Sequence, residues 1–383
     1  MHNYNKSRRK FITKSLIASA AIPLIGTNLL SCSSKNKTGL NILILGGTSF
    51  LGPHQIAYAL NRGHNVSIFT RGKTKSTVHK GIFDKVEHLF GDRENDLSAL
   101  KNRKWDAVID NSGRKVQWTK DTADLLKDNV ELYLYTSSTG VYYPYLIPHI
   151  KEDREVVLEL PEDATENQKY EYEYGIMKAN SENIAKEIFG EERTIVVRPT
   201  YMMGPGDKTD RFTHWPVRLS QGGDILVPGK ENDPVQYIDV RDVAEWMIRL
   251  IETKSFGTFN AVGPKEKTGM HQFINEVHSS FNSEANFIHI DDYEFLARNE
   301  IYFAVPWIPP TGNNACTAIV NNEKALTNGL SYRPLTQSCK DIVDWWNSDA
   351  VSEKQRDNLA NGQYALMRVE KIALENWNKI KKP

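Results

Sequence analysis

The sequence has few cysteines and no excess of charge of either sign. Its 383 residues include three cysteines, Cys32, Cys316 and Cys339, and 48 basic side chains against 48 acidic ones. No CxxC or HxxxH spacing occurs, so the sequence indicates neither a metal site nor a disulfide framework. An oxidising compartment would still allow Cys316 and Cys339 to pair. Zero formal net charge argues against a general polyanion binder, although it is compatible with a local basic patch.

Long apolar runs are also missing, and this excludes a protein with several membrane spans. Forty per cent of the residues are hydrophobic and 25% are charged, as in ordinary globular proteins. At roughly 100–200 residues per domain, the length suggests two or three domains. A chain of this size buries enough surface to fold without a disulfide or a metal ion.

The first 32 residues contain five basic side chains and no acidic one. Residues 7–12 (Ser-Arg-Arg-Lys-Phe-Ile) resemble the bacterial twin-arginine export signal, and the apolar stretch over 16–30 is short for a membrane span. The Leu-Leu-Ser-Cys that ends at Cys32 resembles a lipobox, with Cys32 as the lipidated residue and 33–39 as a tether. We therefore expect a periplasmic protein or a lipoprotein attached to the membrane through this anchor alone. The alternative is a plain N-terminal anchor helix.

Short apolar runs alternate with helix-compatible segments through the first half of the remaining chain. The runs cover residues 40–45, 66–69, 86–90, 107–109, 132–135 and 194–197. Strict alternation of strand and helix predicts an α/β protein with a Rossmann-like, doubly wound parallel sheet.

The distribution of proline and of apolar spacing suggests how the chain is divided. We expect a dinucleotide-binding domain over 40–200 and 234–262, and a smaller, loop-rich substrate domain over 201–233 and 263–350. The polar remainder, 351–383, has the apolar spacing of a helix packed on the body or on a partner.

A glycine-rich turn follows the first predicted strand directly. Gly46 permits the tight turn, and Gly52 allows the next helix to lie close to the strand, so that free amides at the helix start face a pyrophosphate. Ser49 stands where a middle glycine is common. The cofactor-binding residues predicted from this turn are Gly46, Thr48, Ser49, Phe50, Leu51 and Gly52. The alternative is a turn that serves packing alone.

At the end of the second predicted strand, a basic residue stands where an acidic side chain would select NAD. Arg71 could hold a 2′-phosphate in a bidentate contact, which favours NADP mildly over NAD. A merely solvated basic loop is the alternative. Asp92, after the third strand, could accept a hydrogen bond from the adenine amino group.

Tyr174 and Lys178 are one helical turn apart, which places the phenol and the ammonium on one helix face. A free tyrosine ionises near pH 10, and we expect the neighbouring cation to lower that pKa, so that Tyr174 exchanges a proton near neutrality. The hydroxyl-rich Ser137-Ser138-Thr139 ends the fifth strand, at the sheet edge where ligands of such folds bind. Ser138 could donate a hydrogen bond to a substrate oxygen there.

These motifs, followed by Arg198-Pro199-Thr200 and by the Tyr-Ile-Asp-Val-Arg-Asp-Val-Ala of residues 237–244, resemble the extended short-chain dehydrogenase/reductases of the NAD-dependent epimerase/dehydratase family. The resemblance covers about residues 40–347. It implies that Ser138 is the catalytic hydroxyl, Tyr174 the acid/base and Lys178 its partner and a cofactor ligand.

The same resemblance implies further contacts and shows two departures. It implies that Arg198 closes over the cofactor and that the helix bearing Tyr174 forms a homodimer. Ser49 replaces the middle glycine, which affects the phosphate contact, and Tyr143 stands where glycine is usual, which reshapes the substrate side. The form of the glycine turn also resembles the chloroplast stem-loop RNA-binding branch, and some members of that branch have lost redox chemistry.

Candidate substrate contacts come from the fifth strand end and from the predicted second domain. They are Thr139, Met202, Arg211, His214 and Trp215, and a structural role is open for each. We expect an enzyme that acts on a sugar or sugar derivative by transient hydride transfer to NAD(P). Export favours a redox-neutral reaction with a tightly held cofactor. An NADPH-dependent carbonyl reductase is one alternative, and a dinucleotide-bound RNA- or ligand-binding module without turnover is another, although no specific nucleic acid is expected.

Overall fold

The computed structural model describes residues 39–363 and 365–381. The predicted export signal and nearly all of the tether lie outside these residues. The strands are, in chain order, β1 (Asn41–Leu45), β2 (Asn65–Thr70), β3 (Glu87–Phe90), β4 (Trp105–Asp110), β5 (Val130–Thr136), β6 (Thr194–Pro199), β7 (Met202–Met203), β8 (Gly223–Pro228), β9 (Pro234–Val235), β10 (Ile238–Asp239), β11 (Gly257–Ala261), β12 (Thr268–Gly269) and β13 (Ala285–Ile290). The helices are α1 (Leu51–Asn61), α2 (Val116–Leu126), α3 (Glu166–Phe189), α4 (His214–Gln221), α5 (Val240–Thr253), α6 (Met270–His278), α7 (Tyr293–Arg298), α8 (Glu323–Thr327), α9 (Leu335–Asn347), α10 (Glu353–Asn361) and α11 (Leu366–Lys381).

Seven parallel strands form the main sheet, in the order β11-β6-β5-β4-β1-β2-β3. Helices α1 and α5 pack on one face, and α2 and α3 pack on the other. Because both faces are covered, β1 is apolar along almost its whole length and residues 42–45 are buried. The predicted doubly wound parallel sheet is confirmed, and its strand order reverses between β1 and β4, where such sheets bind ligands.

A second hydrophobic core lies beside the sheet and is built from later parts of the chain. Strands β8 and β13 pair in parallel, and α4, α6, α9 and α11 surround them. Trp215, Phe273 and Trp307 fill this core. Val369 and Ala373 of α11 are buried in the same core, so the C-terminal helix packs on the body of the protein.

A buried acidic residue connects the sheet to the second core. Asp239 begins α5 by accepting from the amide of Arg241 at 2.8 Å, and it also accepts from Ser338 of α9 at 2.6 Å. Arg333, which precedes α9, forms an ion pair with Asp242 at 2.8 Å. These charge-assisted contacts hold α9 against the start of α5.

Cys316 and Cys339 are both free thiols, so the possible disulfide between them is not formed. Within the described part of the chain, no helix combines the length and the apolar composition needed to cross a membrane.

Candidate active site

The turn between β1 and α1 needs glycine at both ends. Gly46 has a φ of +85°, and a Cβ there would lie 2.9 Å from the Cβ of Ser112. A Cβ on Gly52 would lie 2.5 Å from the backbone carbonyl of Gly47. Because backbone cannot yield as a flexible side chain does, only glycine lets α1 start this close to β1.

A cleft of about 570 Å³ opens at the carboxyl ends of β1, β2 and β4. It brings together all eight residues predicted from the glycine turn and from the second and third strand ends, namely Gly46, Thr48, Ser49, Phe50, Leu51, Gly52, Arg71 and Asp92. Met202, predicted as a substrate contact, also lines this cleft. Other residues that line the cleft were not predicted from the sequence, among them Arg93, Asn111, Ser112, Arg114, Trp118 and Thr136. Most of them directly follow β3 or β4. Ligands of such folds bind at the carboxyl ends of the strands, so the reasoning that pointed to Ser138 after the fifth strand would also have pointed to these residues.

A buried ion pair forms one wall of the cleft. Arg93 donates to both carboxylate oxygens of Asp110, and its Nη2 also donates to the carbonyl of Trp118 at 2.7 Å. Although burial acts in the opposite direction, Arg93 keeps the pKa of Asp110 below its ordinary value. Asp110 is therefore a fixed anion that accepts from Tyr133 at 2.7 Å and holds Arg93 in place.

The outer rim of the cleft is basic. Arg71, Lys73 and Arg114 are exposed there, and Gly72 between the first two has a φ of +70°. Asp92 accepts from the amide of Glu94 at 3.0 Å, so part of its acceptor capacity is used within its own turn. The glycine turn and these cations together fit a phosphorylated dinucleotide.

Tyr174 and Ser138 meet because α3 lies very close to the turn after β5. A Cβ on Gly175 would lie 2.5 Å from the carbonyl oxygen of Gly140, and a Cβ on Gly140 would lie 2.9 Å from the ring of Tyr174. The hydroxyl of Ser138 accepts from the amide of Gly140 at 3.0 Å, and its nearness to Tyr174 opposes the rise in the pKa of that phenol. Tyr174 remains 40% exposed, so a ligand can reach it.

Lys178 lies one turn further along α3 and is buried. Its ammonium donates to the carbonyl of Thr136 at 2.9 Å and lies 3.4 Å from that of Gly113. Burial lowers the pKa of Lys178 to about 8, although Asp110 and Glu182 oppose the shift. The ammonium thus lies at the carboxyl ends of β4 and β5, beside the inner end of the cleft.

The expectation that Lys178 lowers the pKa of Tyr174 is wrong. Burial raises the pKa of Tyr174 above its ordinary value of 10, and the cation that opposes this rise is Arg211. The reason is that Lys178 interacts with backbone carbonyls at the sheet edge, whereas Arg211 approaches Tyr174 from the second core. Arg211 was predicted as a substrate contact, and here it acts on the proposed acid/base.

Arg198 does not face the cleft, which corrects the prediction that it closes over a cofactor. Its guanidinium donates to both carboxylate oxygens of Glu182, at 2.9 and 2.6 Å, to the hydroxyl of Tyr142 at 2.6 Å and to the carbonyl of Glu152 at 3.2 Å. Four of its five N–H groups are used in these bonds, and only 4% of its surface is exposed, so Arg198 is not accessible to a ligand in the cleft. Through its ion pair with Glu182, Arg198 instead connects β6 to α3.

Three other candidate substrate residues are also used inside the protein. Thr139 is buried and donates to the carbonyl of Pro199 at 3.4 Å. His214 and Trp215 lie in the second core, where Trp215 donates to the carbonyl of Val305 at 2.9 Å. None of these three side chains lines the cleft.

Tyr143, the second departure from the family pattern, packs inward. Its ring makes edge contacts with Tyr145 and Tyr172 at centroid distances of 6.0 and 4.8 Å, and its hydroxyl accepts from Asn313 at 3.0 Å. The loop after β5 is thereby attached to α3 and to the segment around Asn313.

Further side chains near Tyr174 were not found from the sequence. Tyr201 follows β6 and stacks with Arg211, whose guanidinium carbon lies 5.4 Å from the centre of the ring. Glu171 precedes Tyr174 by three residues on α3, and burial raises the pKa of its carboxyl group. Glu171 influences the ionisation of both Tyr174 and Tyr201, so it belongs to the same site. Helical spacing from Tyr174 would have found Glu171.

Comparison with known proteins identifies one family and a common fold. The profile of the NAD-dependent epimerase/dehydratase family matches residues 42–263. A chloroplast stem-loop binding protein of 41 kDa (form b) from Arabidopsis thaliana is 30% identical over 263 residues, which are 63% of each chain. A decarboxylating sterol-4-alpha-carboxylate 3-dehydrogenase from Saccharomyces cerevisiae is 25% identical over 189 residues, which are 44% of this chain and 52% of the yeast protein. The chain thus spans between half and two thirds of the length of these relatives.

Solved structures share the fold at low sequence identity. A UDP-glucuronic acid 4-epimerase from Bacillus cereus, solved in complex with NAD, superposes with a TM-score of 0.52 at 17% identity. The match covers 80% of this chain and 98% of the epimerase. At this identity the likeness concerns the fold alone.

Replacing Lys178 by methionine measures the effect of burying its charge. The pKa of this ammonium is about 8 in the folded protein and 10.5 ordinarily. Between those values the unfolded chain binds more protons, so the parent protein gains stability as the pH rises, and the variant does not share this gain. Urea unfolding of both proteins between pH 7 and 10.5 checks this. The surface variant Lys169→Met should follow the parent, and parallel curves for the parent and Lys178→Met would contradict the assignment.

Proposed function

This chain belongs to the NAD-dependent epimerase/dehydratase family, and we propose that it is an enzyme that oxidises and re-reduces a carbon of a sugar or sugar derivative. The observation that carries the proposal is the assembly of Ser138, Tyr174 and Lys178 beside the glycine-turn cleft. Ser138 and Tyr174 come together from two distant segments, and the ammonium of Lys178, one helical turn further along α3, lies at the carbonyl of Thr136, which lines the cleft. Each of the three has the chemistry that such a reaction needs.

The residues of the cleft fit a nicotinamide dinucleotide. A side chain at Gly46 or Gly52 would fill the turn against which a pyrophosphate fits, and the free amides at the start of α1 face the same space. When bound, the dinucleotide supplies a hydride acceptor and donor. Arg71 and Lys73 on the rim favour a 2′-phosphate, so we extend the proposal to a mild preference for NADP.

The chain's own residues manage the proton. The hydroxyl of Ser138 accepts from the Gly140 amide, so its own proton can be donated to a substrate oxygen. In the ionised fraction that its raised pKa leaves, Tyr174 takes the proton of the substrate hydroxyl as a carbonyl forms, and it returns the proton when that carbonyl is reduced. Arg211 stabilises the ionised form of Tyr174. A bound dinucleotide that returned the hydride to the opposite face of this carbonyl would yield an epimer.

Two other functions remain as alternatives. An NADPH-dependent carbonyl reductase would use the same three residues and is favoured by Arg71. A dinucleotide-bound RNA-binding module is favoured by the similarity to the chloroplast stem-loop binding protein and by the exposed Arg71, Lys73 and Lys75. The nearness of Ser138 to Tyr174 supports an enzyme over this module.

The N-terminal sequence supports export of the folded, cofactor-loaded protein. The Arg8-Arg9 pair, the apolar stretch that follows it and Cys32 are the residues concerned. Twin-arginine export carries folded proteins, which suits a protein that must acquire its dinucleotide in the cytoplasm. A retained cofactor in turn suits a redox-neutral reaction on a free or oligomeric sugar.

Tyr174→Phe tests whether the protein turns over a substrate. Loss of the acid/base should lower the rate by about 10²- to 10⁴-fold, while the melting temperature and the nucleotide content stay unchanged. Product formation from methyl glycosides, disaccharides and UDP-sugars is followed by mass spectrometry. Tyr172→Phe, the same change two residues away on α3, should keep the rate within about twofold. An unchanged rate in Tyr174→Phe, or retention of a stem-loop RNA with no turnover of any sugar, would overturn the proposal.

Identification of the released nucleotide tests the cofactor assignment. Denaturing the purified protein should release a nicotinamide dinucleotide, detected by mass spectrometry. If Arg71 binds a 2′-phosphate, Arg71→Gln weakens NADP binding about tenfold and leaves NAD binding within about twofold. The absence of any dinucleotide after denaturation and after titration would contradict a retained cofactor.

Lysine substitution at Arg8 and Arg9 tests the export route. The double variant should remain in the cytoplasmic fraction, whereas the parent should appear in the envelope fraction. Cys32→Ala should release the exported protein from the membrane into the soluble periplasm. A parent protein found in the cytoplasm would contradict this part of the proposal.

A further inference from the structure

A second cavity of about 560 Å³ lies between the start of α3, the segment that follows α7, and α11. Three aromatic side chains line it, namely Tyr170, Tyr302 and Phe303, and they are 75%, 53% and 44% exposed. Large exposed aromatic side chains gathered in one cavity mark a binding surface, because exposing them to water is unfavourable.

This cavity lies beside the candidate active site. Tyr170 precedes Tyr174 by one helical turn, so both rings lie on one face of α3. The ring of Phe303 makes an edge contact with the ring of Tyr201 at a centroid distance of 6.0 Å. Tyr201 is in turn the residue on which Arg211 stacks. A ligand held at Tyr174 can therefore extend over Tyr170 and Phe303.

The polar groups of the cavity suit a neutral ligand with many hydroxyls. Glu300 and Arg368 form an ion pair at 2.8 Å, and Arg368 also donates to the carbonyl of Gln363 at 2.8 Å. The buried Nε of Arg368 has no hydrogen-bond partner among the described residues, which leaves a donor for a ligand or water. Carboxylate, guanidinium and amide groups beside aromatic faces can bind the hydroxyls and the C–H faces of a pyranose ring.

The charge around Tyr174 and the second cavity does not suit a diphosphate. The basic side chains identified there are Arg211 and Arg368, and Arg368 is already paired with Glu300. Glu171 adds a further carboxyl group between the two sites. A nucleotide diphosphate would need additional cations to offset its charge, so this surface favours an uncharged extension of the substrate.

We propose that the second cavity binds the non-reacting sugar unit of a disaccharide or longer glycoside whose reacting unit is held at Tyr174. The proposal rests on the proposed function, because it assigns the remainder of that substrate. It names Phe303 as the side chain on which the second sugar stacks, with Tyr170 and Tyr302 beside it.

Calorimetric titration of the protein as purified tests this proposal. The probes are methyl glycosides of glucose, galactose and mannose, together with cellobiose, lactose and mannobiose. At least one disaccharide should bind more tightly than its methyl glycoside. Phe303→Ala should weaken that disaccharide about tenfold and the methyl glycoside less than twofold. Ile372→Ala, which removes a 51% exposed apolar side chain from α11 outside the cavity, should change neither.

Several outcomes would overturn the proposal. They are tighter binding of UDP-glucose or of a sterol than of every disaccharide, an equal effect of Phe303→Ala on both sizes of sugar, and no binding of any probe. Turnover by the parent and by Tyr174→Phe separates this proposal from the proposed function. Turnover of monosaccharides without any preference for disaccharides would contradict the proposed subsite and leave the enzymatic function standing. If disaccharides bind in a way that depends on Phe303 but are not turned over, the enzymatic function is contradicted and the subsite stands.

Discussion

The close approach of α3 to the turn after β5 is the contact on which the candidate site depends. Gly175 faces the carbonyl of Gly140 with no room for a Cβ on the helix, and the ring of Tyr174 covers Gly140 in the same way. This contact brings the side chains of Ser138 and Tyr174 close together. A helix one side chain further away would leave Tyr174 on an exposed surface without its partner.

Buried ion pairs hold the two sides of this contact in place. Arg198 and Glu182 connect β6 to α3, and Glu182 also accepts from Ser137, the neighbour of Ser138. The pair of Arg93 and Asp110 fixes the side chains that form one wall of the cleft. Burying such charges is costly, and pairs of this kind contribute fixed geometry more than net stability. The ammonium of Lys178 is also buried, with backbone carbonyls as its partners, and its lowered pKa shows that burying this charge costs free energy at the candidate site.

The sequence predicted what is encoded locally and failed where partners are distant in the chain. The glycine turn, the strand ends and the Tyr174–Lys178 spacing each lie within a few residues, so pattern and helical period were sufficient. The partner of Arg198 could not be read from spacing, because a strand arginine meets Glu182 only once α3 has packed on the sheet. Arg211 likewise approaches Tyr174 only once the second core has packed beside the sheet. It is therefore Arg211, and not Lys178 as predicted, whose charge opposes the rise in the pKa of Tyr174.

The cleft and the second cavity differ in charge, because different segments of the chain build them. Strand ends of the sheet supply the cleft with Arg71, Lys73 and Arg114, close to a helix start that already favours anions. The second cavity is built by α3, α11 and the segment after α7, which contribute aromatic rings and a neutralised Glu300–Arg368 pair. The charges of the cleft therefore favour a phosphorylated ligand, and those of the second cavity favour a neutral one.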